Sequence, residues 1–301
     1  MPVNNSWVRF WIWREAGRLN ALEQIGRTNF GVAAIQSPII MILNAGCTMT
    51  IEAAGNSAVV LILRPQTGLG QDVKASQLSI EPHVELREVH DAFGNLLQRT
   101  VLASGQSVIT STCTAETPDE IAVNPDAEFT LVQNLPDEVL QYLLPSRYCE
   151  SDRLLKMATS ITKGITPGYP QAGAIRSWIY RKLKYRYGVS NASTSAIDTA
   201  KKRGGVCRDF SHLGIALCRA LRIPARMVVG YLHLLDPMDL HAWFEAFLGG
   251  RWYTFDATQK QPRGNRIVIA YGRDAADVAQ VSEYGPIKTK SMSVWVKPAE
   301  A

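Results

Sequence analysis

The sequence predicts an α+β protein in which a small antiparallel β region precedes a mixed domain of helices and a second antiparallel sheet. Three observations predict this class. Residues 41–116 alternate in short runs rich in Val, Ile and Thr, broken by Gly, Pro and Asn. After Pro136 the apolar spacing lengthens to that of helices. From Arg226 the strand-like runs return.

The totals fit a folded, soluble chain. Its 301 residues are 46% hydrophobic and 20% charged, enough for a sizeable core and unlike a disordered segment. A net charge of +5 is mild and names no partner. The five cysteines, Cys47, Cys113, Cys149, Cys207 and Cys218, are odd in number and form no C-x-x-C pair. That usage predicts free thiols in a reducing, cytoplasmic setting rather than a disulfide scaffold. Zinc is disfavoured, because the only near Cys–His pair is Cys207 with His212, and nothing calls for a cofactor. With no run of eighteen apolar residues, no membrane span is expected.

Residues 1–40 are assigned as an extension. Trp7, Trp11 and Trp13 stand there with Glu15 and Glu23, which does not suit a signal peptide. A lipoprotein-type segment ending at Cys47 is the competing reading, and Asn44 fits its cleavage site badly. Residues 41–116 form the predicted β domain, with a hairpin turn at Phe93-Gly94-Asn95. Residues 117–135, rich in Pro and acids, suit a linker. Residues 136–301 form the second domain. Its predicted helices cover Glu138–Leu144, Asp152–Thr162 with Ser151 as N-cap, and Ala172–Arg186. The last of these turns Ile175, Trp178, Ile179 and Leu183 to one side, and Arg176, Arg181, Lys182 and Lys184 elsewhere. A nucleic-acid face is the sharper reading of that basic set, together with Lys201-Lys202-Arg203. A solvated helix face is favoured, because no aromatic side chains interleave. Gly204-Gly205 breaks the chain, and a buried helix follows through Phe210, Leu213, Leu217 and Leu221 until Pro224. Strands are expected at Arg226–Leu235, His241–Leu248, Arg251–Thr258, Arg266–Tyr271 and Met292–Lys297.

The chemistry centres on Cys207. It opens the buried helix, where unpaired backbone N–H groups and the helix dipole favour a thiolate. Cys218, flanked by Leu217 and Leu221, reads as an inert core thiol. Among the histidines, His212 is rotated away from Cys207 on the same helix, and His233 lies inside an apolar strand as a structural residue. His241 opens a strand after a polar loop, so it can reach a cleft. If Gly249-Gly250 makes a two-residue turn and Leu248 pairs with Arg251, then Trp243 faces Asp256. His241 and Asp256 then share one sheet face as diagonal neighbours. A carboxylate so placed orients an imidazole and fixes its tautomer. A surface ion pair beside a strand-end Asp is the bland alternative.

These residues carry a resemblance. Gly204-Gly205-Val206-Cys207-Arg208-Asp209-Phe210, then Leu221-Arg222-Ile223-Pro224-Ala225-Arg226, resembles the nucleophile helix of the bacterial transglutaminase-like superfamily. His241-Ala242-Trp243 and Phe255-Asp256-Ala257-Thr258 are similar to its histidine and aspartate strands, with Ala257 where a proline is common. Ala270-Tyr271-Gly272-Arg273-Asp274 is similar to its tail block. Leu63-Arg64-Pro65 and Asp91-Ala92-Phe93-Gly94-Asn95 are similar to its small β domain. The resemblance spans most of the chain after residue 40. It implies a papain-like fold with a Cys207–His241–Asp256 triad at the junction of helix and sheet. It also implies acyl transfer at the amide of a peptide or protein substrate. The Cys207 backbone N–H is one candidate oxyanion donor. Tyr187, in Tyr185-Arg186-Tyr187, is named for the other, beside the plainer reading of a structural aromatic. A cysteine peptidase or amidase is the leading expectation. Glutamine–amine acyl transfer and a non-catalytic peptide-binding module are the alternatives.

Overall fold

The computed structural model describes residues 39–68 and 70–299. The expected extension, residues 1–40, falls almost wholly outside them. In the first half, β1 (Ile40–Ala53), β2 (Ser57–Leu61), β3 (Asp72–Glu81), β4 (Arg87–His90), β5 (Leu96–Leu102) and β6 (Gly105–Pro118) follow in order. Asp91 closes the hairpin between β4 and β5, its Oδ1 accepting the N–H groups of Phe93 (2.8 Å) and Asn95 (2.9 Å). Gly94 takes a φ of 85°, which a side chain would strain.

The second half begins with short segments of 3₁₀ helix, the longest Asp137–Leu143, then α1 (Leu155–Ile161), α2 (Tyr169–Lys182), β7 (Lys184–Tyr185), α3 (Ala196–Lys202), β8 (Gly204–Gly205) and α4 (Cys207–Ala220). Ser151, expected as the N-cap of α1, does not cap it; it lies inside a preceding 3₁₀ turn, and Leu154 stands at the helix start. The helix α3 was not foreseen. Ser195 and Asp198 start it with a capping box. Then come β9 (Ala225–Leu232), β10 (His241–Leu248), β11 (Arg251–Phe255), β12 (Arg266–Gly272), β13 (Val281–Tyr284) and β14 (Ile287–Pro298).

Three four-stranded sheets result, ordered β14-β1-β6-β3, β13-β2-β5-β4 and β11-β10-β9-β12. The last strand, expected at Met292–Lys297 beside the other strands of the second half, instead pairs antiparallel with β1. Just before it, β13 pairs with β2, so the chain returns to complete both sheets of its first half.

The sheet β11-β10-β9-β12 carries α4 on one face. Gly214 makes the close approach possible, because a Cβ there would lie 2.5 Å from the Phe244 ring. The edge strand β12 is covered by amide side chains of the first half. Gln71 donates to the Val268 carbonyl (2.8 Å) and accepts the Val268 N–H (2.6 Å). Asn95 does the same for Tyr271, at 2.9 and 3.0 Å. Each amide copies the donor–acceptor pair of a missing strand residue, which is one way to blunt a sheet edge.

Candidate active site

Three elements converge on the site. The Gly204-Gly205 pair is not a turn. It forms β8, parallel to β7, and its glycines allow close packing. A Cβ on Gly205 would fall 2.6 Å from the Asp209 side chain. Asp209 is fully buried at the third position of α4, where its Oδ2 accepts the Val206 N–H at 2.9 Å. That bond satisfies one of the orphan donors of the helix start and sets the backbone that presents Cys207. Of the five cysteines, Cys207 alone is partly exposed, and the other four are buried. Burial pushes the thiols of Cys218 and Cys113 up to about 12.

The hairpin supplies the partners. Leu248 pairs with Arg251 across Gly249-Gly250, and the ladder runs to Phe244 opposite Phe255. The strand β11 ends there, so Asp256 is the first residue beyond it. His241 Nε2 and Asp256 Oδ2 lie 2.8 Å apart, with both residues buried. Since Nε2 is engaged by the carboxylate, Nδ1 is the nitrogen left to face the nearby Cys207 thiol. Burial alone would lower the imidazolium. The Asp256 charge and hydrogen bond, with help from Cys207, outweigh it and push His241 up to about 9. For Asp256, burial works against ionisation. The charges of His241 and Arg266, and hydrogen bonds from His241 and Thr258, overcome it and hold the carboxyl well below the usual range.

Asp256 is heavily supported. Arg266 donates to Oδ2 (2.9 Å), and Oδ1 accepts from the Thr258 backbone N–H (2.9 Å) and hydroxyl (2.7 Å). Arg176 reaches from α2 to donate to the Asp256 carbonyl at 2.9 Å and also bonds the Gln259 carbonyl. The sequence reading placed Arg176 on a solvated basic face. It lies half-buried instead, turned toward the aspartate loop, while Arg181 and Lys182 stay exposed. Arg266 was not singled out either. Its guanidinium also stacks over the Trp243 ring, 4.8 Å from the centroid.

His212 is buried and takes no part in the pair. Its Nε2 accepts the Ala275 N–H at 3.1 Å, its ring stacks on Tyr148, and burial lowers it to about 4. Together with Asp274, which accepts the Tyr148 N–H (2.8 Å), it ties α4 to the tail block. His233 sits just past the end of β9, half-exposed rather than inside a strand. Tyr187 is 56% exposed, with its ring edge-on to Tyr185. Its neighbour Tyr185, 42% exposed, packs its ring on Phe210 at 5.9 Å and lies near enough to Cys207 to feel its charge. Burial, then the neighbouring Cys207 charge and the Tyr187 hydroxyl, raise Tyr185 far above an ordinary phenol.

Comparison with known proteins gives the family. Residues 155–257 match the family model of the transglutaminase-like superfamily core, and residues 52–117 match that of the bacterial transglutaminase-like N-terminal region. A crystal structure of a candidate cysteine protease from Cytophaga hutchinsonii superposes with a TM-score of 0.79 at 34% identity, covering 87% of this chain and 92% of that one. The chain belongs to the transglutaminase-like superfamily. It is also 28% identical to the uncharacterized protein ML0607 of Mycobacterium leprae, over 72% of this chain and 82% of that protein. The uncharacterized protein Rv2569c of Mycobacterium tuberculosis is 28% identical over 72% of this chain and 77% of its own length. Among the described residues no helix is long and apolar enough to cross a membrane.

Proposed function

We propose that this protein is a cysteine hydrolase that cleaves an amide of a peptide or protein substrate. The observation that carries the reading is the buried His241–Asp256 pair at 2.8 Å, set against the start of the helix that bears the one partly exposed thiol. Burying a carboxylate is costly unless it is paired and hydrogen-bonded, and Asp256 has both compensations. A module that only binds peptides would have no use for this arrangement.

His241 holds the proton of Cys207 as an imidazolium beside a thiolate, oriented through Nε2 by Asp256. The sulfur attacks the substrate carbonyl carbon, and the developing oxyanion accepts the Cys207 backbone N–H. Tyr185, kept protonated by its surroundings, takes the second donor role expected of Tyr187. Collapse breaks the C–N bond as His241 gives its proton to the leaving amine, leaving an acyl thioester. Water then attacks with His241 as base, the acid departs, and Cys207 is regenerated.

The test is a peptide library incubated with the full chain, with and without a primary amine, read by mass spectrometry. New peptide termini that disappear in Cys207→Ala are expected, with or without amine. Amine adducts in place of cleavage would replace this reading with transamidation. Peptides bound but chemically unchanged would replace it with a binding module.

A further inference from the structure

The outer face of the sheet β14-β1-β6-β3 has no part in the chemistry above, and its composition is unusual. Solvated strand faces are ordinarily rich in charge. Here three successive rows in the middle of the sheet carry mostly hydroxyls and amides, and the charges gather beyond them, at Asp72, Lys74 and Glu116 on one side and Glu52 and Lys290 on the other. Trp295, Gly46, Thr112 and Gln77 stand in one row by the register of the strands. Lys297, Asn44, Thr114 and Ala75 form the next, and Ser293, Thr48, Thr110 and Ser79 the one beyond. The single aromatic in these rows is Trp295. Its indole lies across Gly46, where a Cβ would meet ring atoms at 2.7 and 2.9 Å. Gly46 thus lets the ring lie flat against the sheet, half-buried. Covering a strand glycine would account for the ring, but not for the rows of hydroxyls and amides on either side of it, in which Lys297 is the one charged side chain. An open groove of about 790 Å³ runs over this face, lined by Trp295, Asn44, Gln77, Thr112, Thr114 and Lys297 among others.

A ligand complementary to the middle rows carries many hydroxyls and has a flat apolar face to lay on an indole. The geometry points to a binding site for a neutral oligosaccharide on the first-half sheet, with Trp295 as stacking platform and Asn44, Thr114 and Gln77 as hydrogen-bonding partners. Asn44 Oδ1 already accepts from the Thr114 hydroxyl at 2.6 Å, which leaves its amide N–H groups to donate. A β-1,4-linked chain fits best, because its equatorial substituents leave both ring faces apolar and keep the chain extended. This site is separate from the proposed catalysis and stands whether or not that reading holds.

Isothermal titration of the full chain with cellohexaose and chitohexaose tests it. Saturable binding to at least one is expected, with Kd between about 10 μM and 1 mM. Both Trp295→Ala and Gln77→Ala should weaken it at least about tenfold, while Trp295→Phe retains most of it. Alkylation of Cys207 at the unaltered rate serves as the fold control. If Trp295→Ala fails that control, the Gln77→Ala result decides. Absence of heat with both oligosaccharides, or binding indifferent to both substitutions, overturns the proposal. So does a preference for a sulfated oligosaccharide that vanishes in Lys297→Ala.

Discussion

His241 and Asp256 shift in opposite directions, and each shift makes a statement about stability. His241 is raised from 6.5 to about 9 in the folded protein, so its contribution is complete below about pH 6.5 and is lost as pH rises through about 9. Asp256 is lowered, so its contribution is present above its ordinary value and is lost in acid. The melting temperature is therefore expected to fall between about pH 6.5 and 9, and His241→Gln should flatten that part of the profile. A native profile level over that range, measured by differential scanning calorimetry, would contradict the pairing. These two residues were readable in the sequence because a two-residue turn fixes the register of a hairpin. Arg176 and Arg266 were not. Long side chains reaching Asp256 from α2 and β12 leave no local pattern, and a basic residue on a helix reads as solvated until its partner is seen.

At the scale of elements, α4 is placed by absent side chains as much as by present ones. Gly214 is buried in mid-helix, and intrinsic propensity would favour alanine there by about 1 kcal/mol. The Phe244 ring stands 2.5 Å from where that Cβ would be, and overpacking of a dense core costs about 1–3 kcal/mol. Crowding wins, so Gly214→Ala should lower the melting temperature by about 2–6 °C. An unchanged or higher melting temperature would show that the sheet yields and the contact is not tight. The helix itself was legible from its apolar spacing and its Gly-Gly start. The role of Gly205 was not, since a close approach to Asp209 and a turn demand the same residue.

At the scale of the whole molecule, the first half is more than an appendage. It receives β13 and β14 from the end of the chain and covers the free edge of β12 with two side-chain amides. β12 carries Arg266, which holds Asp256, so the edge cover connects to the site. Gln71→Ala would leave the N–H and C=O of buried Val268 without partners, a cost of about 1–3 kcal/mol for each group. Faster hydrogen exchange at the Val268 amide is expected, with β10 protection unchanged. Equal protection of Val268 in both proteins would mean that the amide contact contributes nothing. The return of the last strands could not be read in advance, because alternation identifies a strand and not its partner. Such pairing is decided by which sheet has an open edge when the chain arrives.

The central claim is that His241 holds Cys207 ready as a nucleophile. Iodoacetamide alkylation of the full chain from about pH 5 to 9, with each cysteine followed by mass spectrometry, tests it most directly. Rapid modification of Cys207 already near pH 6 is predicted, slowed at least about tenfold in His241→Ala, with the two proteins converging at high pH. The four buried cysteines should stay unmodified throughout. Superimposable Cys207 profiles in the native protein and His241→Ala would contradict the account.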